Sequence, residues 1–311
     1  MGREDVKYVS IAAVVAAQAL ASAGFAQGTA VVDYEALVFC HNDLVAGGFN
    51  NHDFLLNPGT VAGFMTTPKG TLFSSPDTIV EVRNSADTLI TENDDAGTDA
   101  VGGAQVGPTR GSMVRYGVTT QDIYSFRVRG FSSSDAGDYG ATFCWFTPGG
   151  ASDFVDTESN DTAGTAQAVS ITAGEAKLGF GFVGADDQDF FRINVNAGDI
   201  VSAFTIPTND PTTDFSAVDT LLDVRDSSGA IIITNDDAGD DAIGLNEVGP
   251  TRGSTIRYQA TSSGSIILSV RGFNSASVGS YALVMSICPI PAPGAAALLG
   301  LGGLVAIRRR R

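Results

Sequence analysis

The sequence predicts an all-β protein: two antiparallel β-sandwich domains of jelly-roll-like form in tandem, plus a short C-terminal hydrophobic helix. Three observations carry this expectation. Residues 77–139 recur as residues 219–281 at a constant offset of 142, without a gap and with about half the positions identical. That period is well above a solenoid unit and marks two whole domains. Within each copy, short apolar runs rich in β-branched and aromatic residues alternate with turns rich in Gly, Asp and Asn, and no stretch shows helical periodicity. Glycine makes up 37 of 311 residues and charged residues only 17%, which suits a loop-rich β protein better than a helical one.

Residues 1–26 place Arg3 and Lys7 ahead of a largely apolar run from Val9 to Ala21, followed by Gly24, Phe25 and Ala26. This is the order of a secretory signal peptide, cleaved after Ala26. Gln18 is the only polar residue between Ile11 and Ala21, too little for a second helix face. The first sandwich is assigned to residues 27–150 and the second to 151–288, with a Pro- and Gly-containing linker at 147–152. In the second copy, residues 220–225 and 230–233 flank the turn 226–229 and read as a hairpin, and residues 78–83 and 88–91 are its twin. Residues 266–270 and 281–285 are further strands, matched by 124–128 and 139–143. Residues 189–195 alternate in part before a turn at Ala197, Gly198 and Asp199. Many short strands at regular spacing imply a sandwich.

Residues 289–311 begin with Pro289, Pro291 and Pro293, continue as an apolar run from Gly294 to Ile307, and end in Arg308 to Arg311. Fourteen helical residues rise about 21 Å, short of the roughly 30 Å hydrocarbon core. The arginines suit the anionic cytoplasmic face of a membrane. The order resembles the PEP-CTERM sorting signal of bacterial exported proteins, although Ala292 stands where that family has glutamate. The resemblance implies transient anchoring in the inner membrane until an exosortase-like processing enzyme cuts near the proline box. A permanent weak membrane tail is the alternative.

The formal charge is −17, and loss of the signal and of the four tail arginines would take it to −21. Such acidity argues against a nucleic-acid partner. It is compatible with divalent cations and equally with plain solubility outside the cell. Three cysteines leave one over: Cys40 and Cys144, near the first and last strands of one sandwich, are the expected bridge, and Cys288 is left unpaired or linked between molecules. No two cysteines have metal-ligand spacing, so zinc is not expected.

The second copy carries an ordered set of motifs. Asp156, Thr157, Glu158, Ser159, Asn160 and Asp161 open it, Asp187-Gln188-Asp189-Phe190-Phe191 follows, and Asn196-Ala197-Gly198-Asp199, Asp219 to Val224, Gly229, Asn235-Asp236-Asp237 and Tyr281 complete it. This resembles the bacterial pre-peptidase C-terminal domain, a β-sandwich appended to secreted proteases and other exported proteins. The likeness covers about residues 156–288. The first copy shares the later half, but Asn51-His52-Asp53-Phe54-Leu55-Leu56 stands in place of the Asp-x-Asp-Phe-Phe strand and no acidic opening precedes it. It reads as a divergent copy.

The resemblance implies a calcium site built from Asp156, Glu158, Asn160 and Asp161 with Asp186, Asp187 and Asp189. The chemistry agrees, because calcium takes six to eight oxygen ligands and these residues offer carboxylates and an amide carbonyl. In an extended segment Asp156, Glu158 and Asn160 would also share one side. An acidic solvated linker is the plain alternative. The repeated Asn93, Asp95 and Asp99, with Asn235, Asp237 and Asp241, lack the Gly and distal Glu of an EF-hand and read as tight turns. Arg110 and Arg252 are expected to pair with nearby aspartates, and Trp145 to pack in a core.

Catalytic motifs are missing: there is no Gly-x-Ser-x-Gly, no His-Glu-x-x-His and no phosphate-cradling glycine loop, and the only histidines are His41 and His52. The expectation is a non-enzymatic exported protein of the cell surface or extracellular matrix with calcium-stabilised sandwiches. A polysaccharide- or protein-binding module is the alternative. A hydrolase, which would need a pocket around His41 or His52, is the third reading.

Overall fold

The computed structural model describes residues 34–208, 215 and 218–290. The expected signal peptide and the C-terminal helix lie outside these residues. The first copy forms β1 (Tyr34–Leu44), β2 (Phe49–Leu56), β3 (Val61–Pro68), β4 (Thr78–Arg83), β5 (Leu89–Asn93), β6 (Thr98–Val101), β7 (Ala104–Val106), β8 (Met113–Gly117), β9 (Asp122–Gly130) and β10 (Gly137–Phe146). The second forms β11 (Phe154–Val155), β12 (Gln167–Ala168), β13 (Ala176–Val183), β14 (Gln188–Val195), β15 (Ile200–Pro207), β16 (Thr220–Arg225), β17 (Ile231–Asn235), β18 (Asp240–Ile243), β19 (Asn246–Val248), β20 (Thr255–Gln259), β21 (Gly264–Gly272) and β22 (Gly279–Cys288). A single 3-10 turn at Thr71–Phe73 is the only helical element among the described residues. The fold is all-β, as expected.

The expected hairpins form where the turn chemistry places them. Asn84 Oδ1 accepts the backbone N–H of Ala86 and Thr88, and Asp226 Oδ1 accepts those of Ser228 and Ala230, so each side chain closes its own turn. Four sheets result. The order β2-β9-β4-β5 faces β1-β10-β3-β8, and β12-β14-β21-β16-β17 faces β11-β13-β22-β15-β20. Phe54, Phe64, Phe126, Phe143 and Trp145 fill the first sandwich. Phe191, Val201, Leu222, Leu268 and Leu283 fill the second. A third core, with Met65, Phe146, Leu178, Phe204, Ile206 and Val284, lies between the two inner sheets, so the sandwiches stack as four layers. That stacking explains β3 and β15, every residue of which is buried: strands covered on both faces read as continuous rather than alternating apolar runs.

Each inner sheet is completed by the other copy. The hairpin β6-β7 of the first copy adds to β20 of the second, with Thr98 opposite Ile256, and β18-β19 of the second adds to β8 of the first, with Asp240 opposite Val114. Both additions are parallel. Two fully buried arginines pin the exchange. From β8, Arg115 donates to the carbonyls of Thr205 at 2.7 Å, Ala238 at 2.6 Å and Ser254 at 3.2 Å, and to Asp241 Oδ1 at 3.4 Å. From β20, Arg257 mirrors it, donating to the carbonyls of Thr66 at 2.6 Å and Ala96 at 2.6 Å and to Asp99 Oδ1 at 3.2 Å. Glycine is required beside each guanidinium: a Cβ at Gly111 would stand 2.5 Å from Arg257, and one at Gly253 2.5 Å from Arg115. The repeated Pro-Thr-Arg-Gly-Ser loop is thus shaped partly by an arginine from the other copy.

The stacking also corrects the disulfide. Cys40 bonds Cys288, not Cys144, with a Cα–Cα distance of 5.3 Å. Cys40 lies at the bulge of β1 between Phe39 and Asn42. Cys144 is opposite Ala36 and sits in the core between the sandwiches, where burial pushes its thiol up to about 12. Stacking brings the first described strand beside the last, an adjacency that a single sandwich would not produce. Closing a loop of this length, a separation of 248 residues, contributes roughly 5 kcal/mol in the chain-entropy model.

Replacing Arg115 with Ala would leave the Asp241 carboxylate buried alone and several carbonyls without a donor. We expect a loss of about 3–5 kcal/mol in urea unfolding, matched by Arg257→Ala. Lys177→Ala, which breaks a partly exposed pair with Asp153 at 3.4 Å, should cost at most about 1 kcal/mol. A loss at Arg115 no larger than at Lys177 would show that these guanidinium groups do not pin the exchange.

Candidate metal centre

The acidic opening of the second copy is held against the sandwich by short parallel pairing. Phe154 and Val155 of β11 pair with Gly179 and Phe180 of β13, and the Asp156 N–H continues to the Phe180 carbonyl at 2.8 Å. Gln167 fastens the next turn, accepting from the Thr157 N–H at 2.9 Å and donating to the Val155 carbonyl at 2.9 Å. The chain then crosses the start of β14. There Asp156, Glu158 and Asp189 bring one carboxylate oxygen each within 4.8 Å of one another, and Glu158, Asp161 and Asp187 do the same. Glu158 belongs to both groups.

Asn160 turns inward and is 1% exposed. Its Nδ2 donates to Asp156 Oδ1 at 2.7 Å, while its Oδ1 is sealed from solvent without a hydrogen-bond partner. Asp189 is fully buried. Its Oδ2 accepts from the Tyr281 hydroxyl at 2.6 Å, and its Oδ1 has no partner. Asp187 closes its own loop, accepting the N–H of Gly184 at 2.9 Å and of Gln188 at 2.9 Å. Of the seven expected residues, six converge and Asp186 does not. Asp186 takes a left-handed backbone (φ 61°) and lines a small polar depression with Arg271 and Asn274.

Crowding shows in the titration of these groups. Burial, and then the neighbouring Asp156, Asp187 and Glu158, push the Asp189 carboxyl up to about 8 against the opposing pull of the Tyr281 hydroxyl. Burial raises Asp156 and Glu158 as well, and Asp187 adds to both. A buried carbonyl and a buried carboxylate oxygen without partners each carry an uncompensated desolvation cost. Oxygen donors of this kind, clustered on loops, fit a hard cation. Acidic groups able to hold a metal ion therefore exist in this chain, and this one has orphaned oxygens within it.

Sequence reasoning placed Tyr281 among the ordered motifs but missed its contact with Asp189, 92 residues away. It also missed that the first copy keeps this geometry with different chemistry. Strand pairing places Asn50 opposite Val128 as Asp189 is opposite Val270, and Asn50 Nδ2 donates to the Tyr139 hydroxyl at 3.0 Å. An amide replaces the carboxylate, and His52, packed between Phe39 and Phe64 and held down to about 4 by burial, approaches the same hydroxyl at 3.3 Å. His41 pairs at the surface with Asp138 at 2.6 Å.

No known family profile matches the chain, and no curated protein matches it. Solved structures do. The periplasmic inhibitor of g-type lysozyme PliG from Aeromonas hydrophila is 11% identical, with 39% of this chain and 95% of that one covered and a TM-score of 0.25. The pre-peptidase C-terminal domain of a Bacillus anthracis collagenase is 13% identical, with 39% and 93% covered and a TM-score of 0.26. The CUB1-EGF-CUB2 domains of human MASP-1/3 are 9% identical, with 82% and 100% covered and a TM-score of 0.20. At these scores the functional reading rests on the chemistry of the site itself.

The Asp189 carboxyl, raised to about 8 in the fold from about 3.9 in the unfolded chain, binds its proton more tightly when folded. Its stabilising contribution is full at low pH and is lost as pH rises through about 8. In chelator, the melting temperature should fall from about pH 6.5 to 8, above the range in which His52 acts oppositely. Asp189→Asn should flatten that fall in thermal scans. An unchanged slope in the variant would show that Asp189 is not the group responsible.

Proposed function

We propose that this chain is an exported, non-enzymatic protein of the cell surface or extracellular matrix, whose second sandwich is stabilised by calcium at the corner between Asp156 and Asp189. One observation carries the reading: Asn160 Oδ1 and Asp189 Oδ1, sealed from water without hydrogen-bond partners, lie among converging carboxylates. Asp156, Glu158, Asn160, Asp161, Asp187 and Asp189 would hold the ion, with Asp186 at the rim. The mix of carboxylates and an amide carbonyl on loops suits calcium, whereas magnesium demands tighter octahedral geometry. Bound there, calcium would cancel the repulsion among the carboxylates and tie the opening segment to β14 and, through Tyr281, to β22.

Export is supported by the order of residues 1–26 and by the Cys40–Cys288 bond, which suits an oxidising compartment. The exposed aromatic side chains among the described residues are Phe49 in β2, Phe182 in β13, and Phe131 and Phe273 in the loops after β9 and β21. That scatter favours a structural role over a polysaccharide- or protein-binding face, for which a row on one sheet would be expected. Among the described residues no helix is long and apolar enough to cross a membrane. The tail proposal therefore stands on sequence: an exosortase-like enzyme would release the chain from the inner membrane. Mass spectrometry of the exported protein should find no peptides beyond about Pro293, and intact C-terminal peptides in that form would refute processing.

In millimolar calcium the full exported chain should melt higher than in chelator. The gain follows RT ln(1 + [L]/Kd), about 2.7 kcal/mol at a hundredfold excess over Kd. Magnesium should do less, and Glu158→Ala with Asp189→Ala should shrink the calcium shift. Equal melting temperatures in calcium and chelator, or a shift unaltered in the double variant, would overturn the site.

A further inference from the structure

We propose that each copy also carries a hard divalent-cation site, formed by Asp77, Asp94 and Asp95 in the first and by Asp219, Asp236 and Asp237 in the second. These residues stand apart from the Asp156–Asp189 corner, and the proposal does not depend on it. In each set one carboxylate oxygen per residue lies within 4.8 Å of the others. The sets are related by the same offset of 142 that relates the two copies.

Three observations separate these sets from ordinary acidic turns. Asp77 is only 9% exposed, and its Oδ1 is sealed from solvent with no hydrogen-bond partner. The same is true of Oδ1 of Asp94, and of the equivalent atoms of Asp219 and Asp236, so the same pair of orphaned oxygens occurs in both copies. Next, the turn does not need these carboxylates. Asn93 Oδ1 takes the Met113 N–H at 3.0 Å and Asn235 Oδ1 takes the Thr255 N–H at 2.7 Å, so the asparagines tie the turns to the starts of β8 and β20. Asp99 and Asp241 are engaged by the buried arginines. Finally, one carboxylate of each set holds an ion pair, Asp77 Oδ2 with Arg110 and Asp219 Oδ2 with Arg252 at 3.0 Å, whereas among the described residues Asp94, Asp95, Asp236 and Asp237 form no salt bridge and feel guanidinium groups only at longer range.

Two resolutions are chemically open to such a set: a carboxyl keeps its proton, or a cation sits among the oxygens. Hard oxygen donors select a divalent cation of the calcium type.

Equilibrium dialysis of the full chain against radioactive calcium counts the ions bound. With Glu158→Ala and Asp189→Ala removing the other site, the chain should still bind one calcium ion in each copy. Adding Asp94→Asn should remove the ion of the first copy, and adding Asp236→Asn that of the second. These isosteric changes keep the turn, and circular dichroism confirms folding. If the combined variant does not fold, Asp94→Asn or Asp236→Asn alone in the wild-type chain should each lower the count by one. A folded Glu158→Ala, Asp189→Ala chain that binds no calcium would overturn the proposal in favour of protonated carboxyls, as would a count unaltered by the Asn substitutions. Failure of the corner site reads differently: Glu158→Ala and Asp189→Ala would then leave the count unchanged while the turn variants lowered it.

Discussion

The buried guanidinium groups of Arg115 and Arg257 are the constraint on which the rest of this structure depends. Each leaves its own sheet and fills its hydrogen-bonding fork with carbonyls and an aspartate of the other copy. Burial pushes both guanidiniums down from their ordinary range, and pushes Asp241 up to about 6, so the pairs exist against a desolvation cost. What such pairs supply is a unique answer to which hairpin completes which sheet. Once that is set, the inner sheets face each other, β3 and β15 are buried on both sides, and the third core closes. The linker at residues 147–152 is then a turn between stacked layers.

The same stacking places the disulfide and frames the candidate metal corner. Tyr281 and Cys288 both belong to β22, so one strand links the hydroxyl that orients Asp189 with the sulfur that ties the end of the second copy to Cys40 in the first. The two copies diverge most where the chemistry is. Asn50 with Tyr139 and Asp189 with Tyr281 are geometrically equivalent, but only the second pair holds an ionisable carboxyl, and among the described residues only it is overhung by an acidic segment. An amide and a hydroxyl satisfy each other without an ion. A buried carboxylate surrounded by other carboxylates does not.

The fold was largely legible. The hairpin at residues 220–235, the long strands ending each copy and the partly alternating run that became β14 all follow rules acting over a few residues: alternation, β-branched content, and Asn or Asp closing turns. The acidic opening was legible for the same reason, because Asp156, Glu158 and Asn160 are close in sequence and an extended chain keeps them close in space. That Arg110 and Arg252 would pair with aspartates was legible, but their partners Asp77 and Asp219 lie at the start of strands in the facing sheet and were set by the fold.

What the sequence by itself determined was the set of strands, the two-fold repetition and the acidic loops. What only the tertiary structure decided was who pairs with whom. Arg115 could meet Asp99 of its own copy or Asp241 of the other, and the repeat makes those two choices nearly identical in local sequence. The same holds for Gly111 and Gly253, whose missing side chains admit a guanidinium without saying from which copy it comes. Cys40 chose Cys288 because stacking, not strand order, set its neighbour. Local rules act within a turn or a hairpin, whereas these choices depend on contacts between residues far apart in the chain. Such contacts are a property of the assembled layers and of no single stretch of chain.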